Sequence, residues 1–219
     1  MFLLFAAVVS AWLLWRAFRP RGAGPLFSQR KHWSLLLAKP MADAMEVEGF
    51  YKPECTYFTD QAKVTVRTAL LHQAGIRSDA DDGAVRAHFS ATLEQQWFGL
   101  DLQGLTASDE PRAAMAFACA RVAFLLRCAL LMEWLEPEQA WRVLLLNAQR
   151  AQDCFDGWED YGRALQQGRA QWVAAFRVDS LGEVFTDQHL GRLLQPGSGA
   201  WADIPWHTPA ALSPALAGA

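Results

Sequence analysis

Three kinds of side chain in this 219-residue chain have the type and spacing to do chemistry. They are arginines set among apolar residues, aromatic residues at helical spacing, and short acidic runs. Arg121 is the most pointed of them. On a helix it shares its surroundings with Phe117, Phe124, Leu125 and Cys128. A guanidinium on such a face must be paired, and Asp153, Asp156, Glu159 and Asp160 are the acids that later segments bring as candidates. Two outcomes are open: a site for an anion or carboxylate, or a structural ion pair. Trp158, Tyr161 and Trp172 fall on one helical stripe, which either lines a ligand pocket or belongs to the core. Arg121, Trp158, Tyr161 and Trp172 are therefore the candidate binding residues. The acidic runs Asp79-Ala-Asp-Asp82 and Glu159-Asp160 read as helix starts, where carboxylates suit the macrodipole. They lack the spaced oxygen ligands of a calcium loop.

Catalytic motifs are missing. The sequence has no Walker loop, G-x-G-x-x-G, H-E-x-x-H, C-x-x-C or G-x-S-x-G. Ser28-x-x-Lys31 fits S-x-x-K without its companion motifs, and the five histidines have no second histidine within helical reach. The expectation is no catalytic residue, no metal and no cofactor. A pI of 5.9 argues against a nucleic-acid partner. A hydrophobic content of 52% rules out disorder throughout, and four cysteines are too few for a disulfide scaffold. Cys55, Cys119, Cys128 and Cys154 are expected as free thiols.

The elements that must position these residues begin with an apolar run. Residues 1–18 are long enough for roughly 27 Å of helix at ~1.5 Å per residue. Arg16, Arg19, Arg21, Arg30 and Lys31 give residues 1–31 a charge of +5, leaving −8 on the rest against a total of −3. By the positive-inside rule this arrangement predicts a single-pass inner-membrane anchor over 1–18, N-terminus outside and body cytoplasmic. A cleavable signal peptide and a buried N-terminal helix are the rival readings. Residues 19–27 read as a linker, 28–206 as an all-helical domain, and the Ala/Pro-rich 207–219 as a disordered tail.

Within the body, helical patterns run from Ser28, from Thr59 to a stop at Gly75, and from a cap at Ser78 or Asp79 through Trp97. Asp109 is the expected cap of a long apolar helix to Leu135. Arg121 and Arg127 mark that helix as a buried central one rather than a second membrane span. Pro137 opens the next helix, Asp156 with Glu159 has capping-box spacing, and Phe185–Leu194 reads as a short last helix. Gly168, on an apolar stripe, marks a place where another backbone comes close. The fold class is all-α, a multi-helix domain of about six or seven helices with an N-terminal membrane-anchor helix.

The second half carries a resemblance. Phe117-x-x-x-Arg121, the turn into Glu138-Gln-Ala-Trp141, Phe155-x-x-Trp158-Glu with Tyr161 and Gly168-Arg169, and a closing Trp201 with Pro205-Trp206 appear in order. Together they resemble the bacterial domain-of-unknown-function 1266 family, well over residues 109–206 and more loosely over 28–100. Ala118 stands where the family pattern has an acid. The resemblance implies no established activity, cofactor or catalytic residue. The leading expectation is thus a membrane-tethered, non-enzymatic module that recruits or inhibits a protein partner. A toxin-neutralising immunity-type protein is one form of it. A small-molecule enzyme or sensor with a pocket near Arg121 and the tryptophan stripe is the alternative, and a structural component of a membrane assembly is a third.

Overall fold

The computed structural model describes residues 25–93, 105–176, 185–198 and 201–207. Over these residues the chain forms eight α-helices and one 3-10 turn: α1 Pro25–Leu36, α2 Lys39–Ala44, α3 Asp60–Gln73, α4 Asp82–Thr92, α5 Pro111–Leu131, α6 Pro137–Cys154, α7 Trp158–Phe176, α8 Asp187–Leu193, and the turn Trp201–Asp203. Punctuation explains most boundaries. Proline lies in the first turn of α2, α5 and α6, where its missing N–H costs no helical bond. Thr59 caps α3 by accepting from the Ala62 amide at 3.3 Å, and Gly75, at φ +69°, stops the chain beyond it.

Three caps differ from those expected. Asp81, not Ser78 or Asp79, caps α4, because Arg77 takes both oxygens of Asp79. Glu110 caps α5, while Asp109 turns back to the Thr106 amide at 2.7 Å. Asp156 does not form a capping box with Glu159: its amide donates to Asp160 at 2.9 Å, and Glu159 pairs with Arg163.

α5 is the axis. Its side chains are buried almost without break from Ala116 to Leu131, as an all-round apolar helix requires. α6 and α7 pack along it, α1 lies against α6, and α2 and α3 touch it further round. At Gly168 of α7 the α5 backbone lies very near: a Cβ built there would stand 2.0 Å from the Ala113 carbonyl oxygen.

The fold class needs one correction. The all-α domain is present, with eight helices rather than six or seven, but the membrane-spanning candidate is not N-terminal. Of the described helices, α5 in the middle of the chain is the one long and apolar enough to cross a membrane. Its length and composition are consistent with membrane association. Yet 89% of its most apolar window is buried inside the domain, because protein supplies the apolar surroundings that lipid would supply to a span. The proposed anchor at 1–18, with the topology attached to it, lies outside the described residues, as does the tail from 208. The linker expected over 19–27 gives way at Pro25, where α1 already begins.

An aromatic cluster packs between α1, α7 and the turn at Trp201–Asp203. Trp158 stacks on Trp201 at 5.2 Å between centroids and meets Trp206 edge-on at 4.7 Å, while Trp33 and Tyr161 pack round them. Each polar tip reaches a carbonyl: Trp33 to Pro205, Trp158 to Ile204, Trp201 to Leu36, Trp206 to Phe155, and the Tyr161 hydroxyl to Leu37. Buried aromatics with satisfied tips are core, and they bind the C-terminal turn to α1 and α7.

Arg127, on α5, is fully buried. Its Nε donates to the Phe50 carbonyl at 2.9 Å, and its Nη2 to those of Gly49, Lys52 and Cys55 at 3.1, 2.6 and 3.0 Å. The loop between α2 and α3 is thus folded round a cation. Burial pulls the Arg127 guanidinium down to about 10, still protonated at neutral pH.

Candidate functional site

α2, α5, α7 and α8 line an open cavity of about 450 Å³. Local sequence explains how each contributes. Leu165 and Arg169 stand four residues apart on α7 and so share a face. The bare backbone at Gly168 lets α5 close on that face, bringing Phe117 beside them. α2 is one and a half turns of helix with Met41 buried beneath and Asp43 exposed at the edge. α8 is fixed by a capping box: the Thr186 hydroxyl accepts from the His189 amide, and the Thr186 amide donates to His189 Nδ1, each at 3.4 Å. That box places His189, Arg192 and Leu193 on the remaining wall.

Two of the lining groups are arginines. Arg169 is 9% exposed, and Arg192 lies exposed at the rim. Asp43 is the acid among the described lining residues, and its charge is met outside the cavity. Lys39 Nζ stands 3.0 Å from one oxygen, and the Tyr51 hydroxyl donates to the other at 2.6 Å. Burial and the neighbouring Asp43 push the Tyr51 phenol far up, so it stays a donor. The arrangement can hold the oxygens of an anion and shelter an apolar body. Among the described residues, no three His, Cys, Asp or Glu converge as metal ligands.

The four residues singled out from sequence fall into two places. Trp158 and Tyr161 belong to the aromatic cluster. Arg121 and Trp172 are together elsewhere, the guanidinium 4.3 Å from the indole centroid and its Nη2 donating to the Gln73 carbonyl at 3.2 Å. Trp172 also packs on Phe117 at 5.5 Å, so this pair lies behind one wall of the cavity rather than in it. Three of the four acids named as partners for Arg121 have other engagements. Asp160 takes both arms of Arg112, which holds its carboxyl below the usual range. Asp153 accepts from Gln149 at 2.9 Å, and Glu159 from Arg163 at 2.8 Å. Asp43, Arg169, His189 and Arg192 are the residues that sequence reasoning missed. The signal for Arg169 was present in Leu165-x-x-x-Arg169 beside the close-approach glycine. α2 and α8, at six and seven residues, are too short to show a period.

The model of a family described as a protein of unknown function, DUF1266, matches residues 39–206. The match begins at the first residue of α2, well before 109, and takes in all four helices round the cavity. No curated protein and no solved structure matches the chain.

Proposed function

The chain belongs to the DUF1266 family, and on that footing we propose that its helical domain binds a small molecule in the cavity between α2, α5, α7 and α8. The observation that carries this reading is the cavity itself: about 450 Å³, with an apolar wall and a buried guanidinium. Ligand sites are typically concave, mostly apolar and of roughly 300–1,000 Å³, with a few placed polar groups. We read the site as one of binding rather than turnover. The described lining groups able to move a proton, Asp43 and His189, are engaged with Tyr51 and Lys39 and with Thr186.

A module that recruits a protein partner, or neutralises a toxin, has less support. The large apolar side chains exposed among the described residues are Tyr57, Val64 and Leu146. Scattered exposed apolar residues are ordinary on any surface. The test is a thermal-shift screen of metabolite-sized compounds against the full chain and against Ala44→Phe, which fills the cavity mouth. A ligand that binds the folded state raises the melting temperature. Compounds that stabilise the wild type and not Ala44→Phe support the reading. Stabilisation equal in both places the binding elsewhere and overturns it.

A further inference from the structure

We infer that the ligand is an amphiphile recognised through its apolar chain or ring, which lies in the cavity while its polar head meets water at the open mouth, an inference that rests on the small-molecule reading above.

The lining is layered from apolar to polar. Met41, Phe117 and Leu165 are buried and come from α2, α5 and α7, so the base of the cavity is apolar. Ala44, Phe185 and Leu193 are half-buried and extend that surface outward. Asp43 and Arg192 are exposed and mark the rim. Asp43 already holds Lys39 and Tyr51. Arg169, nine-tenths buried, already has a partner within the protein. Apolar surface is thus what the lining offers a ligand without giving up a contact it has.

Position decides which end of the ligand goes where. An apolar group gains by leaving water in proportion to the area covered, and the base covers most. A polar head at the base would lose its hydration, whereas at the open mouth it keeps it. The charges of the rim face solvent, where an ion pair is worth about fivefold in affinity at most. The length of the apolar body therefore sets the affinity, and the charge of the head does not. A protein is the poorer occupant. It would need about 800 Å² of contact, so apolar surface would continue past the mouth. The large exposed apolar side chains among the described residues, Tyr57, Val64 and Leu146, are not in the lining.

The test is titration calorimetry of the full chain, purified without alkyl-chain detergent, with butanol, hexanol and octanol and with the matching carboxylates. Octylammonium completes the comparison of heads. Each titration is repeated with Ala44→Phe, and circular dichroism melts establish folding. Leu193→Trp replaces the blocking variant if Ala44→Phe does not fold. A fully buried methylene is worth about fourfold in affinity. In an open cavity both series should tighten about two- to fourfold per methylene, and the three eight-carbon probes should agree within tenfold. Less than twofold per methylene, a head-group preference of tenfold or more, or no binding by any probe overturns the inference. If the blocking variant still abolishes what binding there is, the cavity reading stands. Probes that bind wild type and blocked variant alike overturn both.

Discussion

At the scale of single residues, Arg121 and Arg127, half-buried and buried on α5, show how differently a cation can be accommodated. Arg121 spreads its charge over an indole face and one carbonyl. Arg127 donates to four loop carbonyls, those of Phe50, Gly49, Lys52 and Cys55. The Gly49 and Lys52 carbonyls each keep a backbone amide, so removing Arg127 strips the donor chiefly from those of Phe50 and Cys55, at about 1–3 kcal/mol each before the loop relaxes. Arg127→Met should therefore lose roughly 3–5 kcal/mol in urea unfolding. Arg127→Lys should recover little of this, since one ammonium cannot reproduce the fork. A wild-type midpoint for Arg127→Met would show that the loop is held by something else. Asp160 makes a pH-dependent prediction. Its carboxyl is depressed by Arg112, so the stability it adds is fully present above the unfolded value of about 3.9 and is lost as pH falls through the depressed one. Asp160→Asn should lower the melting temperature near pH 7 and shrink the wild type's decline below pH 4. Parallel melting curves for the two proteins across that range would refute it.

Among elements, the contact between α5 and α7 decides the shape of the cavity. Gly168→Ala would set a methyl against the Ala113 carbonyl and the Phe117 Cβ. The helices must part, at a cost of about 1–3 kcal/mol or more. The same parting should widen the cavity at Phe117 and weaken ligand binding several-fold, which distinguishes it from simple destabilisation. A Gly168→Ala protein as stable as wild type would mean that the helices are not so close. This contact was legible in the sequence, because a glycine on an apolar stripe needs a reason. So were α3, α5, α6 and α7, whose periods and punctuation are strong. The cavity was not legible. Its charged groups come from positions as far apart as Asp43 and Arg192, and no local pattern records that two short helices line one cavity with the middle of α7. Trp158 and Tyr161 show the opposite failure: their spacing was read correctly, but spacing alone cannot tell a pocket wall from a core.

For the whole molecule, the aromatic cluster joins the two ends of the described chain. Trp201 donates to Leu36 across 165 residues, and Trp33 to Pro205 across 172. Trp201→Ala would empty a fully buried site, and such losses cost about 3–5 kcal/mol. Because the cluster spans α1, α7 and the last turn, the loss should lower the single unfolding midpoint of the whole domain rather than release one end of it. Two separated transitions in denaturant would argue that the turn at 201–206 is an independent appendage.

The order in which a ribosome delivers these residues gives that closure a further meaning. Trp33 is delivered 172 residues before Pro205, and waits over that length for Pro205 and Trp206 to reach it. Until then an indole face, the Leu36 carbonyl and the flank of α7 stand uncovered, and contacts between distant residues form slowly even once both are present. Completion of this domain therefore waits on residues 201–206. A nascent chain stalled before residue 201 should be a client for chaperones, while the finished one is not.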